Sequence, residues 1–128
     1  MSGRSGSSRL VGRLAMVVGG VHVAIAPVLF PESMRSILDG GVVNAVEADA
    51  TLAQLRGLGF WYVTTGLGLL VTGAVVDDLE RRDVPLPRAV ALGLGGIGVW
   101  GVVLMPKSPF WVIIALGLLA ARARRRTP

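Results

Sequence analysis

A chain of 128 residues with 52% hydrophobic residues and a mean hydropathy of +0.66 is too apolar for an ordinary soluble domain of its size. Its net charge of +5 sits in short clusters between apolar runs rather than along a polar face, which points to membrane topology and away from nucleic acid. With no cysteine, disulfides and thiolate metal sites are excluded.

Residues 1–9, MSGRSGSSR, read as a flexible cytoplasmic tail. The first apolar run, residues 10–30, is long enough to cross about 30 Å of hydrocarbon at 1.5 Å per residue. A cleaved secretory leader is the rival reading, because Arg4, Arg9 and Arg13 precede the run and Ala24-Ile25-Ala26 has a small-x-small pattern. Pro27 would then follow the cut, where cleavage tolerates proline badly, so a retained helix is favoured. The run contains His22, the only histidine in the chain, and an imidazole in hydrocarbon requires a polar partner or a site.

PESMRSIL, starting at Pro31, predicts a short interfacial helix with Met34, Ile37 and Leu38 on one side, stopped at Asp39-Gly40-Gly41. Beyond it VVNAVE carries Asn44 and Glu47, three apart and on one face if helical, as a lid able to offer an amide and a carboxylate. A second uncharged run, residues 57–76, is a clear span. Asp77 with Arg81 and Asp78 with Arg82 stand four apart in the favourable order, which extends that helix beyond the bilayer until Pro85 and Pro87 stop it. Residues 89–106 and 109–121 supply a third and a fourth span, the last opened by a Ser108 cap and Pro109.

These elements define an all-α fold, a four-helix membrane bundle over residues 10–121 with a basic tail at 122–128. Arginines concentrate in both tails and in the loop after the second span, so both termini are expected in the cytoplasm of a multi-pass inner-membrane protein. Arginine dominance, with Lys107 the one lysine, together with abundant Ala, Gly, Val and Leu, is the composition of a GC-rich bacterial genome.

All the aromatics, Phe30, Phe60, Trp61, Tyr62, Trp100, Phe110 and Trp111, fall near the outer ends of the predicted helices, as a one-sided belt or as a cup opening outward. His22 lies about 12 Å below that end by helical rise, with Thr64 and Thr65 at similar depth and Trp100 slightly higher. Ala15, Gly19, His22 and Ala26 form one small-residue stripe, and Trp61, Thr65, Gly68 and Thr72 a second, which are expected to meet. The bland reading makes His22 a neutral imidazole bonded to a threonine or to the Val23 carbonyl freed by Pro27. The functional reading places a lipophilic small molecule in a pocket lined by His22, Trp61, Thr64, Thr65 and Trp100 beneath Asn44 and Glu47. An enzyme using His22 with Glu47 as acid and base on a lipid or isoprenoid is an alternative. A dimeric proton-coupled exporter is another.

No cofactor and no metal site is called for. A haem shared between the His22 residues of a homodimer is disfavoured, because no second histidine completes a site within one chain. GLGGIG at Gly93 matches a dinucleotide-binding pattern by accident, since it lies inside an apolar span with no preceding strand. Its glycines serve helix packing, with Ala89/Gly93 and Ala91/Gly95 as small pairs. The basic tail is a topology signal facing membrane lipids, not nucleic acid.

His22, Asn44 within GGVVNAV, Phe60 and Trp61 opening GFWYVTTGLGLL, PLPRA, and Met105, Pro106, Ser108, Phe110 and Trp111 within GVVLMPKSPFWVIIALGLL together give a pattern that resembles a bacterial family of small four-helix membrane proteins of unknown function. That resemblance covers nearly the whole chain after the amino tail and implies a fold, not an activity. The small multidrug exporters are less similar, since their first-helix glutamate has no counterpart here.

Overall fold

Residues 10–125 are described in this computed structural model, so the expected amino tail and the last three residues of the basic tail lie outside the described part. The described residues are all-α, with five helices and no strand: α1 (Val11–Leu29), α2 (Pro31–Asp39), α3 (Ala53–Arg81), α4 (Arg88–Leu104) and α5 (Phe110–Arg125). The short helix at PESMRSIL is present as α2, with Pro31 at its start, where a missing N–H costs nothing. α3 exceeds its apolar run at both ends, and α5 continues through Arg122 to Arg125. Arginine is a good helix former, and its charge suits a helix C-terminus.

α1 and α3 are long and apolar enough to cross a membrane. A core helix of a soluble protein would be mostly buried, whereas only 28% and 22% of their apolar windows are. Val17, Val21, Val28, Val71 and Val75 all stand exposed on them.

The described residues divide into two compact units, one of Met16–Val71 and one of residues 10–15 together with residues 72–125. In the unit Met16–Val71, α1 and α3 approach through glycine. A methyl group on Gly19 would stand 2.8 Å from the Leu70 nitrogen and 2.9 Å from the Gly66 carbonyl oxygen. Ala26 is buried. The expected small-residue stripe of α1 therefore packs as read, but its counterpart on α3 does not. Trp61, Thr65, Gly68 and Thr72 are exposed, and Gly59 and Gly66 are buried instead. One residue is about 100° of helix, so a stripe displaced by one or two positions faces elsewhere.

The segment after α2 is fixed by two polar side chains. Ser33, fully buried, accepts the Gly59 N–H at 3.0 Å and directs its own hydroxyl to the Arg56 carbonyl at 3.5 Å. Arg56, also buried, donates from Nε to Ser36 Oγ at 2.8 Å and from a terminal nitrogen to the Ala45 carbonyl at 2.6 Å. Gly41, Val42 and Asn44 all have positive φ, at 80°, 66° and 60°. VVNAVE is consequently a run of turns and not a helical face. For a β-branched residue such as Val42 this conformation is strained.

In the other unit, Val11, Val76, Leu86 and Ala120 form a buried cluster flanked by Leu79, Val90, Ala91, Leu119 and Ala123. Glu80 closes the start of α1, its carboxylate accepting the N–H of Val11 at 3.2 Å and of Gly12 at 3.0 Å. Those donors have no partner within their own helix, and a negative group suits the positive end of the dipole. The two ion pairs expected in the last turns form, Asp77 with Arg81 at 2.5 Å and Asp78 with Arg82 at 2.9 Å. Arg13 adds a looser contact to Asp77 at 3.5 Å. Asp83 then takes a positive φ of 54°, and the Val84 N–H returns to the Leu79 carbonyl, the usual left-handed helix stop.

α4 and α5 pack closely at glycines. A methyl on Gly117 would lie 2.6 Å from the Gly95 nitrogen, and one on Gly98 2.7 Å from the Ile114 nitrogen. Of the two expected small pairs, Ala91/Gly95 faces α5 in this way, while Ala89 and Gly93 are exposed with open space beyond Gly93. The Ser108 cap does not form: its buried hydroxyl has no hydrogen-bond partner. α5 begins at Phe110, with the Pro109 carbonyl accepting the Val112 N–H and the Trp111 indole donating to the Pro106 carbonyl at 3.1 Å.

Candidate functional site

His22 projects from α1 onto α3, where its ring stacks on Tyr62 with centroids 3.8 Å apart and planes inclined by 13°. Phe30 also meets Tyr62, with centroids 4.9 Å apart and rings tilted by 52°. The space for the imidazole comes from glycine, since a methyl on Gly66 would meet the His22 ring at 3.1 Å and Val23 at 2.7 Å. His22 thus faces α3, as its small-residue stripe requires.

Its partner differs from the one expected. Nε2 of His22 is buried without any hydrogen-bond partner. Thr64 and Thr65 share its depth along the helix axis but lie on the exposed face of α3, and the Thr65 hydroxyl donates to the Trp61 carbonyl at 2.8 Å. Equal depth sets axial position only, whereas the phase about α3 is set by the glycine contacts, which bring Tyr62 to His22. A back-bonded threonine is satisfied by its own helix and has little need of a neighbour.

The remaining sequence candidates occupy exposed positions. Asn44 and Glu47 are exposed in the turns after α2, where the Asn44 carbonyl accepts the N–H groups of Glu47 and Ala48. Neither side chain bonds to His22 among the described residues. Trp61 is 66% exposed and packs edge-on against Phe60, and Trp100, on α4 in the other unit, is 67% exposed. Among the described residues, no three His, Asp or Glu side chains gather where a metal ion could sit.

Tyr62 was legible as an aromatic but not as the partner of His22. Ser33, Arg56 and Glu80 carried no motif. What would have found the interface is the seven-residue recurrence of Gly12, Gly19, Ala26 and Ser33 in one segment and of Gly59, Gly66 and Gly73 in the other, with Glu80 next in the series. Small residues at that spacing mark one side of each helix for close approach.

Fold and site define the class: an all-α protein with two helices long and apolar enough to span a membrane, one of which lays an imidazole on an aromatic ring of the other. Within that class the chain belongs to the Family of unknown function (DUF6463), whose model matches residues 6–127. No curated protein and no solved structure matches it.

Proposed function

We propose that this protein is a multi-pass protein of a bacterial cytoplasmic membrane that holds a lipophilic small molecule beside His22, Tyr62 and Phe30. In this reading α1, α3, α4 and α5 cross the bilayer as a four-helix bundle, with both termini in the cytoplasm and the segment after α1 outside. The exposed valines of α1 and α3 then meet lipid, and the short α4 and α5 span with arginine side chains reaching back to the headgroups.

The observation that carries the ligand is the unpartnered Nε2 of His22. A polar atom buried without a hydrogen bond costs about 1–3 kcal/mol, more than most side chains tolerate without a compensating role. A hydroxyl or carbonyl on an otherwise apolar molecule would satisfy it, while Tyr62 and Phe30 provide ring surface for the remainder.

Native mass spectrometry of the full chain purified in detergent tests the reading. A lipophilic molecule should remain on the wild-type protein, be released by organic solvent, and be absent from His22→Phe. A wild-type protein carrying nothing, or the same mass on His22→Phe, would overturn it.

A further inference from the structure

We infer that the hollow between the start of α4 and the end of α5 is a binding site for the phosphate group of an anionic phospholipid. The inference rests on the reading of α4 and α5 as membrane spans and concerns a different end of the molecule from His22. The hollow is about 360 Å³ and is lined by Arg88, Ala91, Leu92, Ala121, Arg124 and Arg125. Three arginines therefore share its lining with side chains that are otherwise only alkyl. Arg88 and Arg125 have no carboxylate partner among the described residues.

Three carboxylates near the end of α3 are committed elsewhere. Asp77 is held by Arg13 and Arg81, Asp78 by Arg82, and Glu80 by the backbone at Val11 and Gly12. Like charges around one small volume repel, so an anion between them relieves a strain that water and salt only screen. Guanidinium groups match phosphate oxygens in pairs, which favours phosphate over a simple halide. The helix start adds to the attraction, because α4 opens at Arg88 behind Pro87 with no side chain capping its first N–H groups.

The alkyl part of the lining selects the source of the phosphate. Leu92 is largely exposed, and Ala91 and Ala121 are too small to fill the space beside it. A free phosphate gains nothing from such alkyl groups, and nucleic acid would want polar or stacking groups there. A phospholipid places its glycerol and first methylenes on the alkyl side chains while its phosphate meets the arginines. If α4 and α5 span the bilayer, Arg88 and Arg125 stand at the headgroup level of one leaflet, where basic pockets between helices take anionic lipids.

The test measures thermal unfolding of the full chain in dodecyl maltoside micelles at fixed salt. It compares added phosphatidylglycerol, phosphatidylcholine, inorganic phosphate and a short DNA duplex. Phosphatidylglycerol is expected to raise Tm by several degrees while the other three leave it unchanged. Arg88→Gln with Arg125→Gln should raise the phosphatidylglycerol concentration needed for that shift roughly thirty-fold, and Arg35→Gln, far along the chain in α2, should keep the response. Equal stabilisation by phosphatidylcholine or by inorganic phosphate would overturn the lipid assignment, as would stabilisation by DNA or an undiminished response in the double variant. Recovery of the chain in the soluble fraction of lysed cells without detergent would instead overturn the membrane reading, so the two failures are told apart.

Discussion

Gly19 and Gly66 touch backbone to backbone: a methyl group on the first would lie 2.9 Å from the carbonyl oxygen of the second, and one on the second 3.2 Å from the carbonyl oxygen of the first. Backbone oxygens in helices have no rotamer by which to give way, so added volume must part α1 from α3. Gly19→Val is expected to lower stability by about 1–3 kcal/mol, the usual cost of overpacking. Gly20→Ala, with nothing within 4 Å, should gain up to about 1 kcal/mol from helix propensity. Detergent or thermal denaturation of the two variants decides the matter, and a Gly19→Val protein as stable as Gly20→Ala would refute the close approach.

The existence of the helices was readable because an apolar run bounded by charge and proline leaves little choice of structure, and α1 and α4 run close to those bounds while α3 extends past its run at both ends. The phase of α3 was not, because it carries small residues on more than one side, with Gly68 and Thr72 as plausible as Gly59 and Gly66. Composition shows that a helix can be approached closely, and only the partner decides where. At the site, His22 was found by its rarity and Tyr62 was passed over because tyrosine near a membrane surface is commonplace. Arg56 looked like one more charge in a polar connection, and nothing local announces that its guanidinium turns inward to Ser36 and Ala45.

Arg56 joins three parts of the segment between α1 and α3: Ser36 in α2, the Ala45 carbonyl in the turns, and its own place near the start of α3. Arg56→Ala strips both acceptors of their donor in a buried setting and is expected to cost about 2–4 kcal/mol. Arg56→Lys should rescue little, because one ammonium lacks the planar fork that reaches both oxygens. Limited proteolysis supplies the readout: cleavage between residues 40 and 52 should accelerate in both variants. Unchanged cleavage in Arg56→Ala would show that the turns are held by something else.

Asp49 is held below the usual carboxylate range, chiefly by the Thr51 hydroxyl and then by the Thr51 backbone N–H, which donate to it at 2.6 and 2.8 Å. A carboxyl lowered in the folded chain favours the folded form above its ordinary value, and that contribution is lost as pH falls through the lowered one. The turn after Ala48 should therefore loosen only in acid. In an NMR titration Thr51→Val should move the Asp49 transition upward toward that of a free carboxyl. An Asp49 transition unmoved by Thr51→Val would remove the hydroxyl as its cause.

Topology is open to direct labelling in a chain without native cysteine. Single cysteines at Ser5 and Thr127 are expected to react only with reagent admitted to the cytoplasm, following the arginine distribution. The outer probe belongs at Val43, which is 87% exposed, and not at Ser33, which α2 buries against α3. A Val43→Cys protein that labels only after the cells are opened would reverse or abolish the proposed orientation.

His22 contributes a ring and a nitrogen, and substitution can separate them. The ring stacks on Tyr62 at 3.8 Å, and phenylalanine preserves that surface. Nε2 has no partner within the described chain, so its removal spares the protein a desolvated polar atom worth about 1–3 kcal/mol, which offsets the loss of the imidazole's hydrogen bond with the Tyr62 backbone. His22→Phe is therefore expected to be at least as stable as the wild type once bound molecules have been extracted from both. His22→Ala, which loses the stack and leaves a gap beside Gly66, should fall by about 2 kcal/mol, less than a fully buried ring would cost because His22 is only half-buried. Without extraction the order should invert, the wild type gaining stability from the molecule it retains and His22→Phe gaining none. Calorimetry before and after extraction reads both arms. A His22→Phe protein destabilised in the extracted state would mean that Nε2 finds its hydrogen bond inside the protein, and the histidine would then be a packing residue with no ligand to serve.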